Sequence, residues 1–526
     1  MNRRPNILLV MCDQLSALHT SPYGNHAVLT PNLGALAARG TTFVNHYCNA
    51  PLCAPSRASL FAGRLAGDIP VNDNAEELPA STPTFVHHLR ASGYSTCLSG
   101  KMHFVGPDQL HGFEERLTTD IYPADFSWTQ RWLPEDGPLK RTGNPPPGAG
   151  TRTQSPMTKM VAEAGPVDWS AQLDYDEAVQ FKALERVRRY ARRRGEAASR
   201  PWFLTVSFTQ PHDPYAPDRE HWDRYDGVDI PSPQPTPPGH QPHITDEWLH
   251  TWTGGDEVTP TPEQIARARR GYYGMVSYID DKVGELLTEL DRNGYSEDTI
   301  VIFTSDHGDM LGEHGLFFKR TFREASSRVP FIVAGPGVDA GSRVDAVTSL
   351  VDLYPTLLEL AEVESDLTGA YPLAGASLVA ALRGADATDR PAIIENNAEG
   401  TRAPTRTVVS GRLKYIHVPG YPDTLFDLAV DPGEWNDVAS DPEYADALAR
   451  LRDICLVDWN GDAASLEIIA SQRRRTLVRD ALQSGRQTRW DFQPFEDATR
   501  SYVRTPQPYP DDPSWNDQSD ARAGGR

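Results

Sequence analysis

Asn6-Ile7-Leu8-Leu9-Val10-Met11-Cys12-Asp13-Gln14 is an unbroken apolar run that ends abruptly in a carboxylate and an amide. A strand without polar alternation must be covered on both faces, as strands inside a parallel α/β sheet are. In open sheets of that class, functional groups gather at the carboxyl ends of the strands. Asp13 is therefore either a turn cap or a metal ligand. The pattern recurs. Tyr94 to Ser99 exits into Gly100-Lys101-Met102-His103, and Trp202 to Phe208 into Gln210-Pro211-His212-Asp213-Pro214. Thr299 to Thr304 exits into Ser305-Asp306-His307-Gly308-Asp309. On an extended segment Lys101 and His103 would point to one side, although either alone is more often a solvated or structural residue.

Predicted helices alternate with these strands: Pro31 to Arg39, Thr82 to Ala91 with Thr82 as its cap, and Tyr175 to Arg194. A long helix starts at Thr261-Pro262-Glu263-Gln264, a cap followed by Pro and then Gln at the third position. Its stripe Tyr272, Met275, Ile279, Val283, Leu286 and Leu290 is core. Residues 133 to 170 and 227 to 262 are rich in Pro and Gly and read as long surface excursions near a site mouth.

Between the first two strand exits lies Asn49-Ala50-Pro51-Leu52-Cys53-Ala54-Pro55-Ser56-Arg57-Ala58-Ser59-Leu60-Phe61-Ala62-Gly63-Arg64. Ser56 to Ala62 has helix-forming composition and Gly63 is a stop signal, so Cys53 sits at a loop-to-helix junction suited to an anion. Taken alone, Cys53 is either a small buried cysteine beside a turn proline or a reactive group facing that junction.

The chain has 526 residues, 39% hydrophobic and 23% charged, enough for one large domain and a smaller one. A net charge of −21 argues against nucleic acid as a partner. The first apolar run is too short for an export signal or a membrane span. Five cysteines without metal-finger spacing suit reduced thiols, so a cytoplasmic location is the expectation. From about residue 372 short strands appear (Ala392 to Glu395, Arg406 to Ser410, Leu413 to His417), followed by a mostly helical stretch. The division expected is a catalytic α/β domain over 1–371, a C-terminal α+β subdomain with a small antiparallel sheet over 372–484, and a tail over 485–526. The Pro- and Asp-rich tail reads as ordered only against a neighbour.

The strand exits converge on one demand. Asp13 and Asp306 offer hard oxygen ligands for a divalent cation, with His307 at the metal or beside residue 53. Such an ion lowers the pKa of a bound hydroxyl and offsets charge on a sulfate or phosphate. Arg57, Lys101 and Lys319 add positive charge, and His103 and His212 are candidates for general base and general acid.

With these residues in place, the chain resembles the type I sulfatases of the alkaline phosphatase superfamily, from the first strand to about residue 440. The resemblance is carried by Pro5-Asn6-Ile7 to Asp13, Cys53-x-Pro-x-Arg57 through Gly63, Gly100 to His103, Pro211-His212, Tyr272 to Leu287 and Ser305 to Gly308. Leu425-Phe426-Asp427-Leu428 with Asp431-Pro432 and Glu434 is similar to the family's late signature. Gly100 to Phe126, with His111 to Phe126 inside it, and Trp490-Asp491-Phe492-Gln493-Pro494 look like the choline-sulfatase branch.

The resemblance implies an alkaline-phosphatase-like α/β/α sandwich with a smaller C-terminal α+β subdomain and an extended tail. It implies that Cys53 is oxidised to Cα-formylglycine by a formylglycine-generating enzyme. The hydrate would attack the sulfur of choline-O-sulfate and expel choline, and loss of a proton from its second hydroxyl would then eliminate sulfate. One divalent metal ion (Ca2+ or Mn2+, with Mg2+ a third candidate) would be held or flanked by Asp13, Asp306, His307 and residue 53. Lys101, His103, Arg57, His212 and Lys319 would contact the sulfate. Gln14 departs from the adjacent Asp that most of the family carries, which leaves the shell lighter in carboxylates. For the quaternary ammonium the resemblance suggests Asn74, Tyr122, Trp128 and Glu395, with Trp128 equally readable as core. It also suggests a carboxylate from a neighbouring subunit's tail, for which Asp511 and Asp512 are the candidates, and hence a homo-oligomer (dimer or tetramer). Two other readings compete: a phosphonate monoester hydrolase or phosphodiesterase with the same nucleophile, and a non-catalytic binding protein on the same fold.

Overall fold

A computed structural model of the chain describes residues 4–129, 156–194, 200–364, 370–486 and 489–494. The main sheet is built from β1 (Asn6–Cys12), β2 (Gly40–Tyr47), β3 (Ser95–Gly100), β4 (Glu115–Arg116), β5 (Trp202–Ser207), β6 (Thr299–Ser305), β7 (Phe331–Ala334) and β8 (Ser342–Ser349). Their order is β4-β3-β5-β1-β6-β7-β2-β8. β1 lies between β5 and β6 and is parallel to both, with Met11 opposite Ser207 and Cys12 opposite Ser305. β3 is parallel to β5 and to β4. β7 pairs antiparallel with both β6 and β2, which returns β2 and its parallel partner β8 to the common direction. The exits of β3, β5, β1 and β6 thus share one edge.

The unbroken apolar run of β1 now has its reason. Ile7, Leu9 and Met11 enter one core, with residues of the helices Cys53–Ala62, Phe85–Ala91 and Leu353–Leu360. Leu8, Val10 and Cys12 enter the other, with residues of Pro31–Ala38, Ala171–Arg192 and Pro262–Arg292. This three-layer α/β/α arrangement is the expected fold class. Thr261 caps the longest helix, its Oγ1 accepting from Gln264 N at 3.3 Å while Gln264 Oε1 accepts from Thr261 N at 2.8 Å.

A second sheet, β9 (Ala392–Asn396), β10 (Thr405–Ser410), β11 (Leu413–His417) and β12 (Thr424–Asp427), is antiparallel throughout, in the order β12-β11-β10-β9. Val408, Tyr415 and Leu425 pack under Leu451 and Cys455 of the helix Ala445–Leu456. The helix Gly461–Gln483 follows. Among the described residues no helix is long and apolar enough to cross a membrane.

Two expectations are corrected. The helix expected from Thr82 begins at Phe85, because Thr84 forms a capping box with His87, whose Nδ1 accepts from Thr84 N at 3.1 Å. The stretch 227–262 is not wholly a surface excursion. Ile244–Thr253 is a helix that buries Trp248, Leu249 and Trp252, and its Asp246 is held by Arg323 Nη2 at 2.6 Å.

Candidate active site

Cys53 is the first residue of the helix Cys53–Ala62, which tolerates Pro55 in its first turn, where an N–H would find no partner within the helix. The helix stops at Gly63, whose φ of 65° is left-handed. The loop from β2 and this helix lay the thiol, 1% exposed, against the exits of β1 and β6. Cys53 Sγ is 3.3 Å from His307 Nε2, 3.8 Å from Asp13 Oδ1 and 3.2 Å from Lys319 Nζ. Burial pushes the thiol's pKa up, outweighing the nearby Lys319, so it rests protonated.

The two carboxylates divide their oxygens. Asp306 Oδ2 accepts from Arg57 Nε at 2.7 Å, and Asp13 Oδ2 meets Lys101 Nζ. Their Oδ1 atoms face His307 Nε2 at 3.7 Å from Asp13 and 3.6 Å from Asp306, and Asp306 Oδ1 also accepts from Gln14 N and His307 N. The carbonyl of Gly308 can only accept, so the contact of His307 Nδ1 with it at 3.1 Å places the proton on Nδ1 and the lone pair on Nε2. Burial holds the imidazole neutral, its pKa far below the usual value. Two carboxylate oxygens, one imidazole lone pair and the atom on residue 53 therefore converge, all within 4.8 Å of one another. A lone pair aimed at two anionic oxygens is an unfavourable arrangement by itself and a favourable one around a cation. The donor set fits a divalent ion that accepts both oxygen and imidazole nitrogen.

Around this group lie the cations and histidines. Arg57 Nη1 donates to Lys101 O and Ser207 Oγ, both at 2.8 Å, and Nη2 stands 3.6 Å from Asp13 Oδ2 without a hydrogen bond. Burial lowers the pKa of Lys101 to about 7. Lys319 Nζ donates to Gln14 Oε1 at 2.7 Å and to His212 Nε2 at 2.6 Å. His212 Nδ1–H is spent on Asp213 O at 2.7 Å. Burial first and Lys319 second lower the pKa of His212 to about 3. His103 Nε2–H donates to Asn74 O at 3.1 Å and its Nδ1 is left without a hydrogen bond.

The structure brings Asp13, Cys53, Arg57, Lys101, His103, His212, Asp306, His307 and Lys319 into one cluster. It revises how His103 arrives. The segment is not extended there, because His103 has a φ of 58°, held by Asp120 Oδ2, which accepts from Met102 N and His103 N at 2.9 Å each. Tyr122 adjoins the cluster, its ring 4.3 Å from Lys101 Nζ and its hydroxyl 3.4 Å from His212 Nε2. Ring centroids of Tyr122 lie 4.7 Å from Trp128 and 4.8 Å from His103. Asn74 Oδ1 accepts from Ala54 N at 3.0 Å. Glu395 is engaged elsewhere, accepting from Gly67 N at 2.8 Å and pairing with Arg406 at 3.4 Å. Asp511 and Asp512 lie outside the described residues.

The sequence reading missed the residues that hold this cluster. Asp120 fixes the His103 backbone. Asp309 Oδ2 accepts from Gln14 Nε2 at 2.6 Å and Tyr215 OH at 2.8 Å, which turns Gln14 Oε1 toward Lys319. Asp309 carried a signal, as the last residue of the β6 exit. Asp120 carried none beyond its similarity to a branch.

The family described as Sulfatase matches residues 5–363, and the one described as choline sulfatase enzyme C terminal matches residues 466–513. A choline-sulfatase of Rhizobium meliloti (strain 1021) is 42% identical over 508 residues, covering 95% of this chain and 96% of the relative. The solved phosphonate monoester hydrolase of Agrobacterium radiobacter is 25% identical, with a TM-score of 0.64 over 89% of this chain and 96% of that one. A protein solved in complex with its substrate D-glucosamine-2-N,6-O-disulfate shares the fold at 21% identity, with a TM-score of 0.66 over 92% of this chain and all of its own.

Proposed function

The chain belongs to the sulfatase family, and from that premise we propose that it hydrolyses choline-O-sulfate to choline and sulfate. Sulfate ester hydrolysis is the family's chemistry; the choline ester is our reading. It is supported by the choline-sulfatase relative and by the C-terminal match. The observation that carries it is Tyr122. Its hydroxyl reaches His212, its ring covers Lys101, and its edge continues into Trp128, so an aromatic wall adjoins the cationic cradle. A quaternary ammonium offers no hydrogen bond and is held by such faces, at about 0.5–2 kcal/mol each. Asn74 borders the same wall through His103.

Cys53, a protonated buried thiol, is a poor nucleophile as it stands, which supports maturation to formylglycine by a formylglycine-generating enzyme. The hydrate supplies the attacking oxygen. Asp13, Asp306, His307 and residue 53 would hold one divalent ion, Ca2+ or Mn2+ before Mg2+, which offsets charge on the ester oxygens. Lys101 and Lys319 neutralise the remaining sulfate charge. Lys319 Nζ, whose proton points at the bare Nε2 of His212, is the proton source for the departing choline oxygen, with His212 orienting it. His103 presents Nδ1, where the proton of the second hydroxyl is taken up as sulfate leaves. All five cysteines are free, which suits a cytoplasmic enzyme, and the tail suits a homo-oligomer.

The second reading, a phosphonate monoester hydrolase, is favoured by the likeness to the Agrobacterium enzyme. One assay separates them: turnover of choline-O-sulfate, its neutral isostere 3,3-dimethylbutyl sulfate, and a phosphonate monoester. We expect kcat/KM to favour the charged sulfate by about tenfold or more, the equivalent of one or two cation–π contacts. Equal turnover of both sulfates removes the choline assignment. Turnover of the phosphonate alone replaces the sulfatase reading.

A further inference from the structure

The helix Gly461–Gln483 reaches the active site without supplying any atom to it. Arg475, 6% exposed, places its guanidinium on Asp73 in a fork, Nη1 to Oδ1 and Nη2 to Oδ2, both at 2.8 Å. Asp73 is wholly buried, and its Oδ1 also accepts from Ala75 N at 2.9 Å. From the same helix Ser471 donates to Glu76, whose other oxygen accepts from Asn72 N at 2.8 Å. The turn 72–76 is thereby gripped at both ends by one face of one helix.

What the grip holds is Asn74. Its side-chain oxygen accepts from Ala54 N, in the first turn of the Cys53 helix, and its carbonyl accepts from His103 Nε2. Its own N–H donates to Glu399 Oε1 at 3.1 Å, and Glu399 Oε2 is fixed by Arg320 at 2.9 Å. A single residue thus sets both the orientation of the helix that carries residue 53 and the tautomer of His103, leaving Nδ1 bare. A shift of the 72–76 turn would move nucleophile and base together, and the fork from Arg475 is a bidentate, charge-assisted constraint against such a shift.

We propose that Arg475 is a positioning residue for the reaction at residue 53, acting through Asp73 and Asn74. The proposal rests on sulfatase chemistry at that residue and not on the identity of the alcohol. The test therefore uses 4-nitrophenyl sulfate beside choline-O-sulfate. An enzyme active on the aryl ester and inactive on the choline ester would remove the choline reading and leave this test intact.

The experiment is a double-variant cycle of Arg475→Met and Asn74→Ala, with kcat counted per molecule converted at Cys53, as read by peptide mass spectrometry, well below the melting temperature. We expect Arg475→Met to lower kcat by roughly a hundredfold, the cost of an ångström-scale misplacement. We expect KM for 4-nitrophenyl sulfate to move little, because Arg475 touches no substrate. The double variant should be no slower than Asn74→Ala alone. Arg475→Lys keeps the charge without the fork and should fall between wild type and Arg475→Met. If Arg475→Met does not fold, the same cycle is run with Arg475→Lys. An unchanged kcat, or independent multiplicative losses in the double variant, would overturn the proposal and reduce Arg475 to a stabilising ion pair.

Discussion

At the scale of single residues, the site is a problem of assigning protons and lone pairs. Gln14 is the clearest case. Position 14, next to Asp13, is an amide and stands outside the group of possible metal ligands. Its oxygen accepts from Lys319, and its nitrogen donates to Asp309 Oδ2 at 2.6 Å and to Asp213 Oδ1 at 3.2 Å. Only one orientation satisfies these partners, because Lys319 has no acceptor to offer. Asp309 is the nearer of the two carboxylates that select it, and it accepts from Gln14 and Tyr215 on one oxygen and from Leu311 N and Phe318 N on the other. Asp309→Asn introduces an NH2 that must face one of these donors. If it faces Gln14, the amide must turn and set its own donors against Lys319. A mismatched buried pair costs about 1–3 kcal/mol. We expect kcat to fall by about 10- to 100-fold. Adding Gln14→Glu should restore little of the loss, because a carboxylate at position 14 accepts from the introduced NH2 and from Lys319 but stands against Asp213 Oδ1. Steady-state kinetics of the two variants check this, and a single variant as active as wild type would remove Asp309 from the site's support.

At the scale of elements, the strand ends decide where these residues can be. Gly100 closes β3 opposite Ser207 with a φ of 113°, and a Cβ there would run into the Ser207 carbonyl oxygen. That same oxygen accepts from Lys101 N at 2.9 Å. Gly100→Ala therefore strains the backbone and separates β3 from β5 where Lys101 leaves the sheet. We expect a stability loss of about 3 kcal/mol or more, read by urea unfolding, with activity lost at temperatures where the variant remains folded. The strands themselves were legible because burial on both faces leaves a continuous apolar run that no loop imitates. β1 is read from Asn6 to Met11 for that reason alone, one residue short of its end at Cys12. Asp13, Lys101, Asp306 and His307 were legible as residues because each follows such a run, and Cys53 and Arg57 because they open a helix directly after a loop. Less legible were elements whose signals depend on distant partners. The helix Ile244–Thr253 is flanked by Pro-rich sequence and carries the charge of Asp246 inward, acceptable only because Arg323 waits there. His103 faces the site through a left-handed residue held by Asp120, which no extended spacing foretells. Asp73 and Arg475 are separated by 402 positions, and nothing local to either marks them as partners.

At the scale of the whole molecule, acid stability follows from histidines buried as neutral rings. His46 is fully buried, stacked on Phe331 with centroids 4.2 Å apart, and its Nδ1 meets Thr348 Oγ1 at 2.9 Å. Burial alone lowers its pKa from 6.5 to about 3. Because the folded value is the lower one, the unfolded chain binds a proton that the folded chain refuses throughout the interval between them. Stability is then at its full value above pH 6.5. It falls as pH drops below that, by about 1.4 kcal/mol per pH unit for this residue, and levels off near pH 3. The aggregate loss is about 5 kcal/mol, a large part of what an ordinary domain has to lose. His111, His243 and His314, each lowered to about 4 by burial, add slopes of the same sign. His46→Gln does not titrate and can still hydrogen-bond to Thr348. Urea unfolding at pH 7.5, 6 and 5 should show the variant somewhat less stable at the highest pH, through loss of the stacked ring, yet losing less stability between pH 6 and 5 by about 1 kcal/mol. Parallel pH dependences for the two proteins would mean that His46 is already protonated in the folded state, against the apolar packing that surrounds it.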